Sequence, residues 1–393
     1  MRRLSVSLYL LVALAELIHW AIVPLIPAFA ARFSLSEVQS GALVASTGLA
    51  TLVVSIPAGM LADRLGARRL TLWAGGSMAI AAFGQALAPS YALLLGARLV
   101  FGLGFGIVWT AGLAWLSAVT ASRRSRAALG ATVTSAGVGT VVAPGFAGVV
   151  AQALGLAAPF VVAGAAAAAV TAVLATAAAG PGDAPSEKRP SLAAIRAARR
   201  EPGLVAALAA ILLGGLAGGM ISLLAPLELH AAGFSEASIG LAFSGAAVIF
   251  IAASALTVRL GERAMNVSVI LLGGVAFALA LTPATLSGAA AAVVAVLCVS
   301  APLRALLFTA SYPLAAASGG GVGAGTAIGL VNGAWAVTSM LGPLGGGALA
   351  ETVGPRVTYG ILQALGLATV AAAWAGARRR GALRRRPALV RRR

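Results

Sequence analysis

Gly59-Met60-Leu61-Ala62-Asp63-Arg64-Leu65-Gly66-Ala67-Arg68-Arg69-Leu70 is a charged, glycine-hinged turn set between two long apolar stretches. A bilayer core is about 30 Å thick, so a helix needs about 20 apolar residues to cross it. The turn is too short for a soluble domain and too charged to lie in lipid. It reads as a tight cytoplasmic link between two membrane helices. Gly59 and Gly66 allow close helix approach and a sharp reversal. Asp63 can cap a helix N-terminus or pair with a nearby arginine.

The rest of the chain has the composition such a link needs. It has 393 residues, 60% hydrophobic and only 10% charged, with 49 glycines. Soluble proteins average about 45–50% apolar and about 25% charged. Twelve spans are predicted, at 8–31, 38–61, 70–88, 91–117, 127–151, 157–179, 203–229, 236–258, 266–284, 288–314, 322–350 and 355–376. The first follows Met1-Arg2-Arg3 in the manner of a signal peptide. Its apolar run from Leu8 to Ala30 is longer than the about 7–15 residues of such a segment, so it is expected to remain as a helix.

The net charge of +18 would suggest nucleic acid in a soluble protein. Here it follows topology. With the N-terminus in the cytoplasm, the inner segments hold Arg2, Arg3, Arg64, Arg68, Arg69, Arg123, Arg124, Arg126, Lys188, Arg189, Arg196, Arg199, Arg200, Arg259, Arg263 and the nine arginines after Ala377. Only Arg32, Arg98, Arg304 and Arg356 lie elsewhere. This is the positive-inside pattern, which puts both termini in the cytoplasm of a multi-pass cell-membrane protein. The tail is expected to meet anionic lipid headgroups, not nucleic acid. Cys298 is the only cysteine, so no disulfide within the chain and no cysteine metal site is expected.

A polar break at Gly180–Gly203 divides six spans from six. The expected organisation is an N-terminal bundle at 1–180, a cytoplasmic loop at 181–202, a C-terminal bundle at 203–377 and an Arg-rich tail at 378–393. Ser191–Arg200 fits a short surface helix or a flexible tether equally. Asp183 and Glu187 read as solvated loop charges. The halves repeat one another: Gly130, Pro144, Gly148 and Gly155 match Gly329, Pro343, Gly347 and Gly354 at one constant offset. Arg64-Leu65-Gly66 recurs as Arg259-Leu260-Gly261, with Val258 where Asp63 stood.

The motif Gly-x-Leu-x-Asp-Arg-x-Gly-x-Arg-Arg resembles the loop signature of the major facilitator superfamily of secondary transporters. The resemblance implies an all-α integral membrane fold of twelve helices in two pseudo-symmetric six-helix bundles, and a cytoplasmic latch at Gly59, Asp63, Arg64, Gly66 and Arg68. Arg98-Leu99-Val100-Phe101-Gly102-Leu103-Gly104-Phe105-Gly106 resembles the fourth-helix signature of proton-coupled members. Gly139-Thr140-Val141-Val142-Ala143-Pro144-Gly145-Phe146-Ala147-Gly148 resembles, with Ala143 and Ala147 replacing glycines, the fifth-helix signature of drug/proton antiporters. Gly342-Pro343-Leu344-Gly345-Gly346-Gly347 is a cleaner copy. The small residues permit tight crossings and the prolines bend the helices, so Gly139, Pro144, Gly148, Gly342, Pro343 and Gly347 are expected at bends and packing points. Pro24-Leu25-Ile26-Pro27-Ala28-Phe29-Ala30 resembles the end of the first helix in twelve-span drug exporters.

Glu16 is the only carboxylate well inside a span. Glu16, His19, Trp20 and Val23 fall on one helical face. A charged group there is costly and marks a functional site by default. Glu16 and His19 are the candidate proton-coupling pair, with a structural pairing of Glu16 to an arginine or histidine as the alternative. Arg98, Gly102, Phe105 and Trp109 share a face of the fourth span; Arg304, Phe308, Ser311 and Tyr312 share one on the tenth. Trp20, Arg98, Phe105, Trp109, Arg304, Phe308 and Tyr312 are therefore candidates for the substrate cavity. Trp115 and Trp335 line a cavity or pack. Glu228 and His230 close the end of span seven as a gate or as solvated groups.

No phosphate-cradling loop, metal cluster or nucleophile constellation is present, so enzyme chemistry, a metal and a cofactor are not expected, and the proton gradient is the expected energy source. The resemblance implies two bundles rocking about a central site. The expected activity is proton-coupled efflux of small amphipathic compounds. Transport of a small organic or inorganic anion is the alternative, and a non-transporting sensor or enzyme a remote one. The implied partners are a small-molecule substrate and the lipid bilayer, with a monomer compatible.

Overall fold

A computed structural model describes residues 2–119, 122–176, 201–264, 266–317 and 324–379. All regular structure among them is helical: α1 (Arg2–Ala21), α2 (Ile26–Phe33), α3 (Glu37–Leu65), α4 (Ala67–Leu87), α5 (Tyr91–Ile107), α6 (Leu113–Val119), α7 (Ser122–Leu154), α8 (Ala158–Ala175), α9 (Pro202–Ala231), α10 (Glu236–Leu260), α11 (Val267–Leu279), α12 (Thr282–Leu286), α13 (Ala290–Ala317), α14 (Ala324–Val353) and α15 (Pro355–Arg379). Among the described residues, 11 helical stretches are long and apolar enough to cross a membrane. Helix α14, 30 residues long, occupies the eleventh predicted segment. The protein is a multi-pass, all-α membrane protein.

Two spans are less regular than their sequences suggest. The first breaks into α1, a 3-10 turn at Val23–Leu25, and α2. Pro24 and Pro27 stand at the starts of the two later pieces, where a missing N–H costs least. The fourth span is α5 and α6 joined by a π-helical turn, Val108–Gly112. Such turns widen a helix by one residue and concentrate at functional sites.

The turns show the internal repeat. Ser36 caps α3 in a capping box with Gln39, Ser36 Oγ accepting from Gln39 N–H at 3.3 Å. Its counterpart Ser235 accepts from Ser238 N–H at 3.3 Å before α10. The preceding turns match bond for bond, Leu35 N–H to Ala30 C=O and Phe234 N–H to Leu229 C=O, both at 3.0 Å. Between α3 and α4 the reversal rests on Gly66 alone, at φ 87°, where a side chain would be strained.

Two compact units are present. One comprises Met1–Glu187, Gly219–Ala247 and Ser339–Glu351; the other comprises Lys188–Gly218, Val248–Thr338 and Thr352–Arg393. In the first, α1 packs on α7 and α8, α3 on α5, and α4 on α5 and α8. In the second, α11 packs on α13 and α15.

Candidate functional site

In the first unit the polar centre is Glu16, buried to 9% exposure on α1. Its carboxylate accepts three hydrogen bonds. Trp20 Nε1 donates to Oε2 at 3.1 Å from one turn away on the same helix. Trp109 Nε1 donates to Oε1 at 3.2 Å from the π-helical turn. Thr140 Oγ1, on α7, lies 3.3 Å from Oε2 and shares its one proton between that oxygen and the Ala136 carbonyl at 3.0 Å. All three donors are neutral, so the group is held by dipoles. The alternative pairing of Glu16 with an arginine or histidine is not found among these bonds.

Helix α7 reaches Glu16 because Gly139 has no side chain. A Cβ there would overlap the Ala13 carbonyl oxygen and stand 2.8 Å from Glu16 Cβ. His19 completes the site between rings, its centroid 5.0 Å from Trp20 and 5.2 Å from Phe105. Phe105 continues the aromatic row to Phe101 at 5.9 Å and Trp109 at 6.4 Å. Among the described residues, His19 Nδ1 is buried without a hydrogen bond.

The Arg98 stripe divides between two neighbours. Phe105 and Trp109 turn to α1, whereas Arg98, Gly102 and Gly106 face α3. A Cβ on Gly102 would come within 2.9 Å of Thr47 Cα, and one on Gly106 within 2.6 Å of Val54 Cγ1. Arg98 is fully buried, at 0% exposure. Its Nε donates to Leu43 C=O at 3.3 Å and its Nη2 to Thr47 Oγ1 at 2.9 Å, with the guanidinium 5.5 Å from the Phe101 ring. In a low-dielectric wall, such bonds replace hydration that the group has lost.

The second unit has its own cation. Arg304, on α13, lies 6.0 Å from the Phe250 ring, and Phe250 meets Phe308 edge-on at 6.4 Å. Gly218 makes room for it: a Cβ there would stand 2.8 Å from Arg304 Nη1. Gly214 does the same for Phe308, also at 2.8 Å. Tyr312 donates its hydroxyl to Asn332 Oδ1 at 3.0 Å. Arg304 Nε is buried without a hydrogen bond among the described residues.

The loop residues are placed more simply. Arg68 Nη2 donates to Ala175 C=O at 2.7 Å and so caps α8, where a cation suits the helix dipole. Arg64 is exposed. Ala58, Ala62, Leu70 and Ala111 form the small core beneath the turn. The surroundings of Gly59 and the Asp63 side chain lie outside the described residues. Pro144, Gly148, Gly342, Pro343 and Gly347 are all buried within α7 and α14. Trp115 is buried, Trp335 half-buried and His230 exposed.

Sequence reasoning missed Thr140, Thr47, Phe250 and Asn332 as contributors. Thr140 carried a signal, since it adjoins Gly139 in the quoted motif. The others become visible only when their helices are packed.

Comparison with known proteins bears on the family and the fold. The family model described as Major Facilitator Superfamily matches residues 8–323. An MFS-type transporter, ppzB, of Metarhizium majus (strain ARSEF 297) is 34% identical over 128 residues, 33% of this chain and 28% of that protein. An uncharacterised MFS-type transporter of Schizosaccharomyces pombe (strain 972 / ATCC 24843) is 32% identical over 123 residues, 30% of this chain and 27% of the relative. The chain thus matches under a third of the length of these curated relatives. Among solved structures, a bacterial homologue of the human lysosomal transporter Spinster, inward-facing and occupied, superposes with TM-score 0.81 at 17% identity, covering 95% of this chain and 96% of that one. A D-xylose-proton symporter gives TM-score 0.73 at 14% identity over 95% and 97%. The chain belongs to the Major Facilitator Superfamily, a family of membrane transporters and not of enzymes.

Proposed function

We propose that this protein is a proton-coupled secondary transporter that exports small amphipathic compounds by alternating access, with Glu16 as the coupling carboxyl. The observation that carries the reading is the triple donation to Glu16 from Trp20, Trp109 and Thr140. A carboxylate surrounded by neutral donors binds a proton without first displacing a cation. Its donors come from α1, the π-helical turn and α7, so a change in its charge alters the packing of three elements at once. Intramembrane carboxyls of this kind serve as proton relays. His19 and the row Phe101, Phe105 and Trp109 add the aromatic surface that an amphipathic solute would use. The six-helix halves, 1–180 and 203–377, would be the rocking bodies, with both termini in the cytoplasm of the cell membrane. No nucleotide-binding motif occurs in the sequence, so the proton gradient is the energy source in this reading.

A second reading, transport of a small anion, is favoured by one observation. Arg304 keeps Nε free of hydrogen bonds among the described residues, beside Phe250 and the notch at Gly218.

Proton flux in proteoliposomes under an imposed pH gradient tests both. Lipophilic cations, neutral amphipaths and carboxylates are added in turn, with Glu16→Gln as control. Flux triggered by cations or neutral compounds and lost in the variant is expected. Flux with carboxylates alone would move the assignment to anions.

A further inference from the structure

The 34–36 and 232–235 turns mark one end of the first unit, and four glycines there seat two helix pairs. A Cβ on Gly148 of α7 would overlap the Glu236 carbonyl oxygen of α10, and one on Gly240 of α10 would overlap that of Pro144 on α7. The other pair repeats the pattern. A Cβ on Gly347 of α14 would overlap the Glu37 carbonyl oxygen of α3, and one on Gly41 that of Pro343. Each crossing is reciprocal, a glycine on one helix resting on the carbonyl four residues before the glycine of the other. Small residues at this spacing let backbones approach and place Cα–H groups against carbonyls. The members of the two crossings stand at the same offset as Pro144 and Pro343.

The crossings differ in charge. One turn beyond Gly347, Glu351 Oε2 accepts from Val38 N–H at 3.2 Å. That amide belongs to the first turn of α3, where helix N–H groups lack partners and favour negative charge. Glu37 occupies the same turn, and one of its carboxylate oxygens is buried without a hydrogen bond among the described residues. Glu351 is bonded to the amide of Val38, the residue next to Glu37, so the two acids meet at the N-terminal turn of α3. At the matching place in α7 stands Gln152, so the α7–α10 crossing has an amide where α3–α14 has its second acid. The other titratable or charged groups on neighbouring elements are otherwise engaged. Tyr91 donates its hydroxyl to Gln39 C=O at 3.2 Å, Arg32 lies 5.1 Å from the Phe33 ring, and Arg356 packs against Gly288. Glu228 and His230 stand at the end of α9 and Glu236 at the start of α10.

We propose that Glu37 and Glu351 form a proton-operated lock on the α3–α14 crossing. Two ionised carboxylates brought together at one helix terminus, Glu37 from α3 and Glu351 from α14, repel, while one carboxylate and one carboxylic acid do not. The crossed state therefore binds one more proton than the parted state. By linkage, crossing is favoured as pH falls and parting as pH rises. The lock makes closure of this end of the transporter report the proton concentration there, separately from Glu16. It rests on the alternating-access reading only in assigning that closure to the transport cycle.

Double electron–electron resonance on the full chain in lipid nanodiscs tests it. A Cys298→Ser background carries spin labels at Val38→Cys, which keeps its backbone N–H, and Gly345→Cys, where a side chain meets nothing within 4 Å. The short-distance fraction is expected to rise about tenfold relative to the long one between pH 8 and pH 5.5, since a difference of one bound proton changes the ratio by at most about tenfold for each step of one in pH. Glu37→Gln and Glu351→Gln should hold the short distance at all pH values. Gln152→Glu should add a pH response to labels placed across α7 and α10, which tests the idea even if the first variants fold poorly. Glu16→Gln, which removes the proposed coupling proton, is expected to offset the short-distance fraction at every pH while a change between pH 8 and pH 5.5 remains. A wild type without pH response, or one whose response survives both glutamine variants or vanishes in Glu16→Gln, overturns the lock. Only loss of proton flux bears on Glu16.

Discussion

Trp109 Nε1 donates to Glu16 Oε1 at 3.2 Å across 93 residues of chain, from a π-helical turn to the C-terminal part of α1. An ordinary helical turn would rotate Trp109 differently on α5, so the widened turn and the hydrogen bond belong together. Trp109→Phe keeps the ring and removes the donor. A bond to a charged group contributes about 1.5–3 kcal/mol. Substrate-driven proton flux in the variant should fall about tenfold or more, with its pH profile displaced and substrate KM little changed. An unaltered pH profile would sink the coupling role of this pair.

Gly139 is the contact that lets α7 reach α1. Gly139→Ala drives a methyl group into the Ala13 carbonyl and Glu16 Cβ. Overpacking of this kind costs about 1–3 kcal/mol. The melting temperature in detergent should drop by several degrees, whereas Gly329→Ala, whose added methyl meets nothing within 4 Å, should leave it unchanged. Equal melting temperatures for the two variants would contradict the packing role.

Arg98 is held by its planar fork, Nε on Leu43 C=O and Nη2 on Thr47 Oγ1. Lysine keeps the charge and loses that geometry. Arg98→Lys should therefore recover little of the thermal stability lost in Arg98→Leu. Full recovery by lysine would mean that charge alone matters at this position.

Arg304 separates the two substrate readings. Arg304→Gln should leave proton flux driven by lipophilic cations within about twofold of wild type and abolish any flux driven by carboxylates, a loss of about 1.5–3 kcal/mol of charged hydrogen bonding. Gly218→Ala, which crowds Nη1, should reproduce the carboxylate defect in part. Flux assays across the three solute classes decide it. A common loss for all solutes would make Arg304 structural.

The long apolar runs, the Gly66 reversal and the repeat of the halves were all readable, because each depends on local chemistry: hydropathy over about 20 residues, a left-handed backbone angle, a recurring spacing. Glu16 stood out for the same reason, as one acid in an apolar run. Its partners did not. Trp20 shares its helix at i+4 and was visible, but Trp109 and Thr140 come from other spans, and their approach depends on a π-helical turn and on Gly139. The Arg98 stripe looked uniform by helical spacing; packing against α3 on one side and α1 on the other divides it. Arg68, expected in a latch loop, caps α8 through Ala175 C=O, a bond across 107 residues of chain.

Local sequence was thus sufficient to specify a helical membrane protein, its spans and the rarity of its buried charges, because burying an unpaired backbone or charged group in lipid is so costly that few arrangements survive. It could not say which helix faces meet. The three donors on Glu16, the split of the Arg98 stripe and the reciprocal glycine–carbonyl crossings arise from close approach between distant segments. In a bilayer that approach is governed by steric fit and hydrogen bonding, since lipid gives no hydrophobic preference for one neighbour over another.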